Sequence, residues 1–217
     1  VDLRGALQTP VTNHFAAILD PAELGGLLRA IREYRGTYPV QCALILTPHL
    51  IVRPGELRRM EWAEIDVDQR IWTIQSTKMK GKRSHLVPLA DQSLAILDEL
   101  RPLTGTGQYV FPSLGNKTRP MSENTVNSAL RRLGYSKKEV TAHGFRATAR
   151  TLMDEVLHER IDVIEHQLGH QVRDALGTAY NRTTFLDERR VMMTRWSNYL
   201  DSLAAGADIV PLRTTSG

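Results

Sequence analysis

Two short runs of strand-type residues interrupt a chain whose other apolar residues follow helical spacing. The runs are Ile71–Ile74 and His85–Leu89, and a basic turn at Lys78–Arg83 separates them. A polar turn that contains a glycine, placed between two such runs, predicts an antiparallel β-hairpin with a charged tip. We therefore expect a mainly α-helical fold with one small antiparallel β-sheet, which is an α+β domain.

Helix signals account for most of the remaining chain. Asp20 can cap a helix through its carboxylate, Pro21 suits the first helical position, and Glu23 follows three residues after the cap. This helix is predicted to run to about Tyr34. Further helices are predicted at Val40–Val52, Glu56–Glu61, Asp91–Arg101, Ser122–Leu133, Gly144–Val156, Val163–Leu168 and Phe185–Leu203.

The composition is typical of a globular domain, with 41% hydrophobic and 24% charged residues in a chain of 217. No apolar run reaches the length of a bilayer span, and we expect neither a membrane segment nor a signal peptide. A single cysteine, Cys42, excludes an internal disulfide and suits a reducing cytoplasm. We expect a linker or extension over residues 1–19, one domain over 20–204 and a flexible tail over 205–217.

The basic residues point towards a polyanionic partner. Arginine outnumbers lysine by 22 to 6, and the formal net charge is +4. A guanidinium group can hold a phosphate through two parallel hydrogen bonds, whereas an ammonium group acts as a point charge. This bias is compatible with nucleic-acid binding, although the codon usage of a high-GC genome explains it as well.

One predicted helix has a polar side that suits DNA. Asn124, Asn127 and Arg131 carry groups that can contact phosphates and base edges. A helix with a solvated polar surface is an equally good explanation for any one of them.

Common catalytic signatures are absent from the sequence, including phosphate-binding glycine loops, GxSxG and HExxH. His166 and His170 have a metal-compatible spacing, but no further ligands complete a site, and we expect no metal or other cofactor. What remains is an ordered series of residues, each a weak signal by itself. The series is Arg53, Lys80 on the predicted hairpin tip, His143 and Arg146 in the segment HGFR, His170 after Leu168 and Gly169, and Tyr180 in the segment AYNR.

In this order the series resembles the tyrosine recombinases, the phage-type integrases. The phrases RPGELRR, HLVPL, HGFRAT and YNR are similar to those of integrases from P4-like prophages and genomic islands, and the likeness runs from about Asp20 to Leu203. Such integrases also carry an arm-binding and a core-binding domain, which do not fit in the first nineteen residues. The resemblance therefore implies the catalytic domain alone.

The resemblance implies a role for each residue of the series. Arg53 and Arg146 would hold the non-bridging oxygens of a scissile phosphate, with Glu56 supporting Arg53. His143 would exchange a proton with the attacking hydroxyl or bind the phosphate, and His170 would donate to a phosphate oxygen. The residues themselves leave other uses open, such as a buried histidine at His143 or a helix cap at His170.

Tyr180 would be the nucleophile, forming a 3′-phosphotyrosine and releasing a 5′-hydroxyl. Bringing a phenol from its ordinary pKa of about 10 to neutrality requires about 4 kcal/mol, which nearby cations can supply. Lys80 would protonate the leaving 5′-oxygen, although Lys82 is an alternative acid. Lys78, Lys82 and Arg83 would contact DNA beside it, unless they form only a solvated turn.

The partners implied are double-stranded DNA attachment sites and a homotetramer on synapsed DNA, with the isolated domain a monomer. Accessory DNA-bending and directionality proteins, and a location on the nucleoid in the bacterial cytoplasm, are also implied. Two other functions remain open at this point. A type IB topoisomerase would use the same chemistry to relax supercoils, and a decayed integrase would bind DNA without cutting it.

Overall fold

The computed structural model describes residues 15–79, 83–170 and 185–206. Its helices, in chain order, are α1 (Pro21–Arg32), α2 (Tyr38–Leu50), α3 (Pro54–Leu57), α4 (Asp91–Thr104), α5 (Thr125–Arg132), α6 (Gly144–Glu155), α7 (Ile161–Gln167) and α8 (Leu186–Ala205). Its strands are β1 (Ile65–Asp66), β2 (Ile71–Ile74), β3 (His85–Pro88), β4 (Pro112–Ser113) and β5 (Asn116–Pro120). Among these helices none is both long and apolar enough to cross a membrane.

Helix α1 begins where its cap predicts. The Asp20 carboxylate accepts the backbone N–H of Glu23 at 2.9 Å, and the apolar side of the helix is buried against α8. The two helices approach closely, since a β-carbon built on Gly25 would lie 2.6 Å from the carbonyl oxygen of Leu203. The helix ends at Arg32, slightly before the predicted end.

Helix α2 forms the centre of the core and carries buried residues on most of its circumference. It contacts α1, α4, α5, α6 and α8. The Trp196 indole of α8 donates to the carbonyl of Pro48 at 2.8 Å, and His49 bonds to the Ser197 hydroxyl at 3.1 Å. The helix ends with Ile51 in the left-handed region, at φ 49°, which turns the chain towards Arg53.

The predicted hairpin is present as β2 and β3, with β1 added on the outer side of β2. The register pairs Ile71 with Pro88 and Ile74 with His85. Residues 80–82 at its tip lie outside the described residues. The prediction of a mainly helical fold with a small antiparallel sheet is confirmed.

A second sheet was not predicted. Strands β4 and β5 form a separate two-stranded hairpin in a part of the chain for which the sequence predicted no strand. Because residues 116–119 are all exposed, the segment lacks the alternation of apolar and polar residues that marks a half-buried strand. Helix α5 consequently begins at Thr125, three residues after its predicted start at Ser122.

Residues 15–19, which were assigned to an extension, pack against the start of α6. The carbonyl of Ala16 accepts the N–H of Thr141 at 3.1 Å, and the carbonyl of Ile18 accepts the Thr148 hydroxyl at 2.8 Å. The Ile18 side chain is buried in the core. This segment therefore contributes to the wall that supports the HGFR motif.

Candidate active site

Arg53 is oriented by a buried carboxylate one helical turn away. It precedes Pro54 in an extended conformation, at the start of α3. The Glu56 carboxylate accepts the Arg53 backbone N–H at 2.9 Å and its Nη1 at 3.0 Å. Glu56 is only 4% exposed, whereas the Arg53 side chain is 29% exposed. The buried Glu56 carboxylate therefore fixes the position of the Arg53 guanidinium, which is partly exposed at the surface.

Arg146, on the first turn of α6, is 5% exposed and joins three parts of the site. Its Nη1 donates to the Ile51 carbonyl at 2.7 Å, and its Nη2 donates to the Leu168 carbonyl at 2.7 Å. The same Nη2 lies 3.1 Å from Nε2 of His170. Burial, together with the positive charge of Arg53, lowers the pKa of Arg146 to about 10, and the group remains cationic at pH 7.

His170 follows a left-handed glycine at the end of α7. Gly169 has φ 65°, a conformation that favours glycine, and it turns the chain so that the His170 N–H bonds the Glu165 carbonyl at 3.0 Å. The imidazole does not cap the helix. Its Nδ1 lies 2.5 Å from the Glu165 carboxylate, which also accepts Nε of Arg150 at 2.7 Å.

His143 stands immediately before α6 and is half-buried. Its ring packs against the ring of Phe15 with centroids 4.2 Å apart. Burial lowers the pKa of His143, and the charges of Arg146 and Arg53 lower it further. The imidazole is therefore neutral at pH 7 and able to accept a proton.

His85, which sequence reasoning named only within the phrase HLVPL, lies beside these groups. Its Nε2 donates to the Gln167 carbonyl at 3.0 Å. A β-carbon built on Gly169 would lie 3.9 Å from Cε1 of His85 and 3.6 Å from Nη1 of Arg53. Burial and the charge of Arg189 lower the pKa of His85 to about 3, and the ring is neutral at the centre of a cationic cluster.

Arg189 fixes the surroundings of His85. Its Nε donates to Oε1 of Gln167 at 2.9 Å, and its guanidinium also bonds the carbonyl of Leu86. The first turn of α8 is thereby joined to strand β3 and to the end of α7. No sequence signal marked this link, because the bonded residues are far apart along the chain.

An open cleft of about 600 Å³ lies in front of Arg53 and His143. Helix α3, the 3₁₀ turn at Ser76–Lys78 and the start of α5 form its sides. Asn124 and Asn127, two of the residues predicted to contact DNA, line it. The cleft thus joins the cationic cluster to a polar surface of the kind that binds a phosphate backbone.

Two residues predicted to contact DNA have their charged groups occupied inside the protein. The Lys78 ammonium bonds the carboxylates of Glu61 at 2.5 Å and Glu64 at 2.7 Å. The Arg131 guanidinium donates to the carbonyls of Asn127 and Val140. The structure therefore assigns Lys78 and Arg131 to internal bonding, and we do not extend the DNA-binding proposal to them.

The other predicted DNA contacts differ in exposure. Asn127 uses its side-chain oxygen to accept the N–H of Ala142 at 2.9 Å, which positions the chain just before His143. Arg83 and Asn124 are exposed. Lys80, Lys82 and Tyr180 lie outside the described residues.

The sequence that carries these arginines and histidines matches a recognised protein family. Residues 17–186 match the model of the phage integrase family. The chain belongs to that family. It is 39% identical over 214 residues to the integrase of Enterobacteria phage P4, and 33% identical over 210 residues to the prophage integrase IntA of Escherichia coli K12. The predicted likeness to P4-type integrases is confirmed.

The chain spans about half the length of these curated relatives of the phage integrase family. The alignments cover 92% and 97% of this chain but 48% and 50% of the two relatives. Among solved structures, a λ integrase dimer bound to a COC′ core site has a TM-score of 0.58 at 18% identity, over 96% of this chain and 54% of that one. The XerA recombinase gives 0.56 at 18% identity, over 92% and 66%. These likenesses show the shared fold.

Proposed function

We propose that this integrase-family domain cuts and rejoins DNA at specific sites through a covalent tyrosine intermediate. The observation that carries the proposal is the convergence of Arg53, His143, Arg146 and His170, from segments as far apart in the chain as the start of α3 and the end of α7, with Arg53 and His143 lining an open cleft. Phosphoryl transfer depends mainly on positioning the phosphate and stabilising its developing negative charge. Two anchored guanidinium groups and two imidazoles suit that task.

In the proposed reaction the Tyr180 oxygen attacks the scissile phosphorus, and the bond from phosphorus to the 5′-oxygen breaks. The phenol proton passes to a neighbouring base, for which the neutral His143 is suited, and Lys80 or Lys82 protonates the departing oxygen. The 5′-hydroxyl of another strand then attacks the phosphotyrosine. One phosphodiester replaces another, and rejoining therefore needs no ATP.

The partners proposed are double-stranded attachment sites and three further copies of the protein. Support comes from relatives of the same fold, since λ integrase has been crystallised as a dimer on a core site and as a tetramer on a Holliday junction. In this proposal the isolated domain is a monomer, the tetramer forms on synapsed DNA of the bacterial nucleoid, and accessory bending and directionality proteins assist. The exposed Arg83 and Asn124 contact the DNA together with Lys82.

Trapping of the covalent adduct tests this function. The substrate is a labelled pool of duplexes, each with a random core sequence and a nick beside the core. Cleavage releases the short fragment next to the nick, and its loss prevents rejoining. The 217-residue chain should form a denaturation-resistant adduct that Tyr180→Phe abolishes and Tyr109→Phe retains. Good binding with no adduct from the unmodified chain would instead identify a non-catalytic binding module.

A plasmid assay separates recombination from topoisomerase action. The sequence enriched in the trapped adducts is placed twice in one supercoiled plasmid. Deletion or inversion between the two copies supports the integrase function, whereas relaxation without exchange of partners would assign the chain to strand passage.

A further inference from the structure

Glu165 forms a short hydrogen bond with the side of His170 that faces away from Arg146. It lies on α7, five residues before His170, and its Oε2 is 2.5 Å from Nδ1 of the imidazole. The Glu165 side chain is 20% exposed, whereas that of His170 is 45% exposed. The carboxylate thus holds the imidazole from the protein side.

The contacts on the two ring nitrogens identify the tautomer of His170. A guanidinium N–H can only donate, so Nε2, at 3.1 Å from Nη2 of Arg146, must accept. A carboxylate can only accept, so the proton must be on Nδ1. Both contacts independently select the same tautomer, with the Nε2 lone pair directed towards the guanidinium of Arg146.

A third residue holds Glu165 in place. Nε of Arg150, one turn after Arg146 on α6, donates to Oε1 of Glu165 at 2.7 Å. Burial of the Glu165 carboxyl opposes its ionisation, but the hydrogen bonds from His170 and Arg150 outweigh that effect and lower its pKa. The group is therefore a carboxylate at neutral pH.

We propose that Glu165 is a positioning residue that holds His170 in the Nδ1–H tautomer and balances the charge of its imidazolium, so that Nε2 serves the scissile phosphate. The inference rests on the proposed function and deepens it. In the free protein Nε2 accepts from Arg146. When phosphate enters, Nε2 takes a proton from solvent water and donates it in a hydrogen bond to a phosphate oxygen, while the other proton remains on Nδ1, hydrogen-bonded to the Glu165 carboxylate. Within residues 15–79, 83–170 and 185–206, the charged and titratable groups around His170 are Arg53, Arg146, Arg150, His143, His85 and Glu165.

Nitrogen chemical shifts test the positioning directly. In ¹⁵N-labelled protein the His170 signals should show Nδ1 protonated in the unmodified chain. Glu165→Leu removes one of the two contacts that select this tautomer and should reduce its population, and a population equal to that of the unmodified chain would overturn the inference. A His170 protonated on Nε2 in the unmodified protein would overturn the inference. This readout needs no cleavage, so it stands even if the adduct assay shows the proposed function to be wrong.

Cleavage kinetics provide the second test. Glu165→Gln should slow adduct formation on the nicked duplexes by about 10-fold or more, and Glu165→Asp should recover part of that loss. Glu159→Gln is the matched control, because it removes a carboxylate that pairs with Arg195 at 3.2 Å and does not contact His170. Equal rates for Glu165→Gln and Glu159→Gln would refute the proposal.

A double-mutant cycle distinguishes positioning from a general structural effect. If Glu165 acts through His170, then Glu165→Gln should have no further effect on cleavage once His170→Ala is present. Losses that simply multiply would assign Glu165 a structural role independent of His170 and would overturn the inference.

Discussion

A methyl group placed on Gly144 would stand 1.9 Å from the carbonyl oxygen of Ala16. The backbone of the segment at residues 15–18 thus lies directly against the first turn of α6, at the point where the HGFR motif begins. Phe15 continues this segment and packs on the His143 ring. The glycine of the motif is therefore required for packing of the chain that precedes α1.

Gly144→Ala should destabilise the domain by about 1–3 kcal/mol, because backbone atoms must separate to admit the new methyl group. Urea unfolding followed by circular dichroism measures the change. Gly55→Ala is the control, since nothing lies within 4 Å of a β-carbon built there. Equal stabilities for the two variants would show that the close approach of Ala16 is not maintained in solution.

Lys78→Met should reduce stability rather than DNA affinity. The change leaves the Glu61 and Glu64 carboxylates without their cation, and the expected cost is roughly 2–3 kcal/mol. Arg83→Met should leave the stability unchanged and lower the slope of log affinity against log salt by about 1. Urea unfolding and salt titrations of DNA binding measure the two effects. The opposite pattern would return Lys78 to the DNA surface.

Stability should fall as the pH is lowered from about 6.5 towards 4. Burial lowers the pKa of His49 to about 4, against an unfolded value of about 6.5, so the unfolded chain binds more protons in this window. The expected loss from His49 is about 3 kcal/mol, and it is complete only below pH 4. His85, with a pKa of about 3, adds a loss of the same sign.

Urea unfolding at a series of pH values measures this dependence. His49→Asn should flatten the slope of stability between pH 6.5 and 4, whereas the exposed His158→Asn should leave it unchanged. A slope that survives His49→Asn in full would place the pH dependence elsewhere.

Gly169→Ala should reduce DNA cleavage more than its effect on stability explains. The left-handed conformation at φ 65° costs an alanine about 1–2 kcal/mol, and its relief would shift His170 and the Leu168 carbonyl away from Arg146. Gly134→Ala has the same backbone problem, at φ 94°, on the connection after α5. The two variants should therefore have similar urea midpoints, whereas adduct formation should be slower in Gly169→Ala than in Gly134→Ala.

Local signals made much of the fold predictable. The Asp20 cap and the hairpin between Ile71 and Leu89 are each determined by residues close together in the sequence. The order of the motifs predicted that Arg53, His143, Arg146 and His170 lie in one site. The β4–β5 hairpin gave no such signal, because its residues are exposed and polar. The chemical roles assigned to the site residues Arg53, His143, Arg146 and His170 remain predictions.

Long-range partners were beyond sequence reasoning. The bond between His85 and the Gln167 carbonyl joins residues 82 positions apart, and the pairing of Lys78 with Glu61 and Glu64 depends on how the chain folds back after β2. Residue type alone indicated that Lys78 was a surface cation. Only the folded chain shows that the Lys78 ammonium group is already paired with two carboxylates.

Arg146 joins the end of α2 to the end of α7 through two carbonyl oxygens, and its guanidinium also donates to Nε2 of His170. A lysine has one nitrogen at its tip and cannot span the same three acceptors in that planar arrangement. A slower reaction in any Arg146 variant will accordingly combine the loss of phosphate stabilisation with the loss of the contacts that join α2 and α7. Interpreting such a variant requires its activity to be normalised to the fraction of molecules still folded.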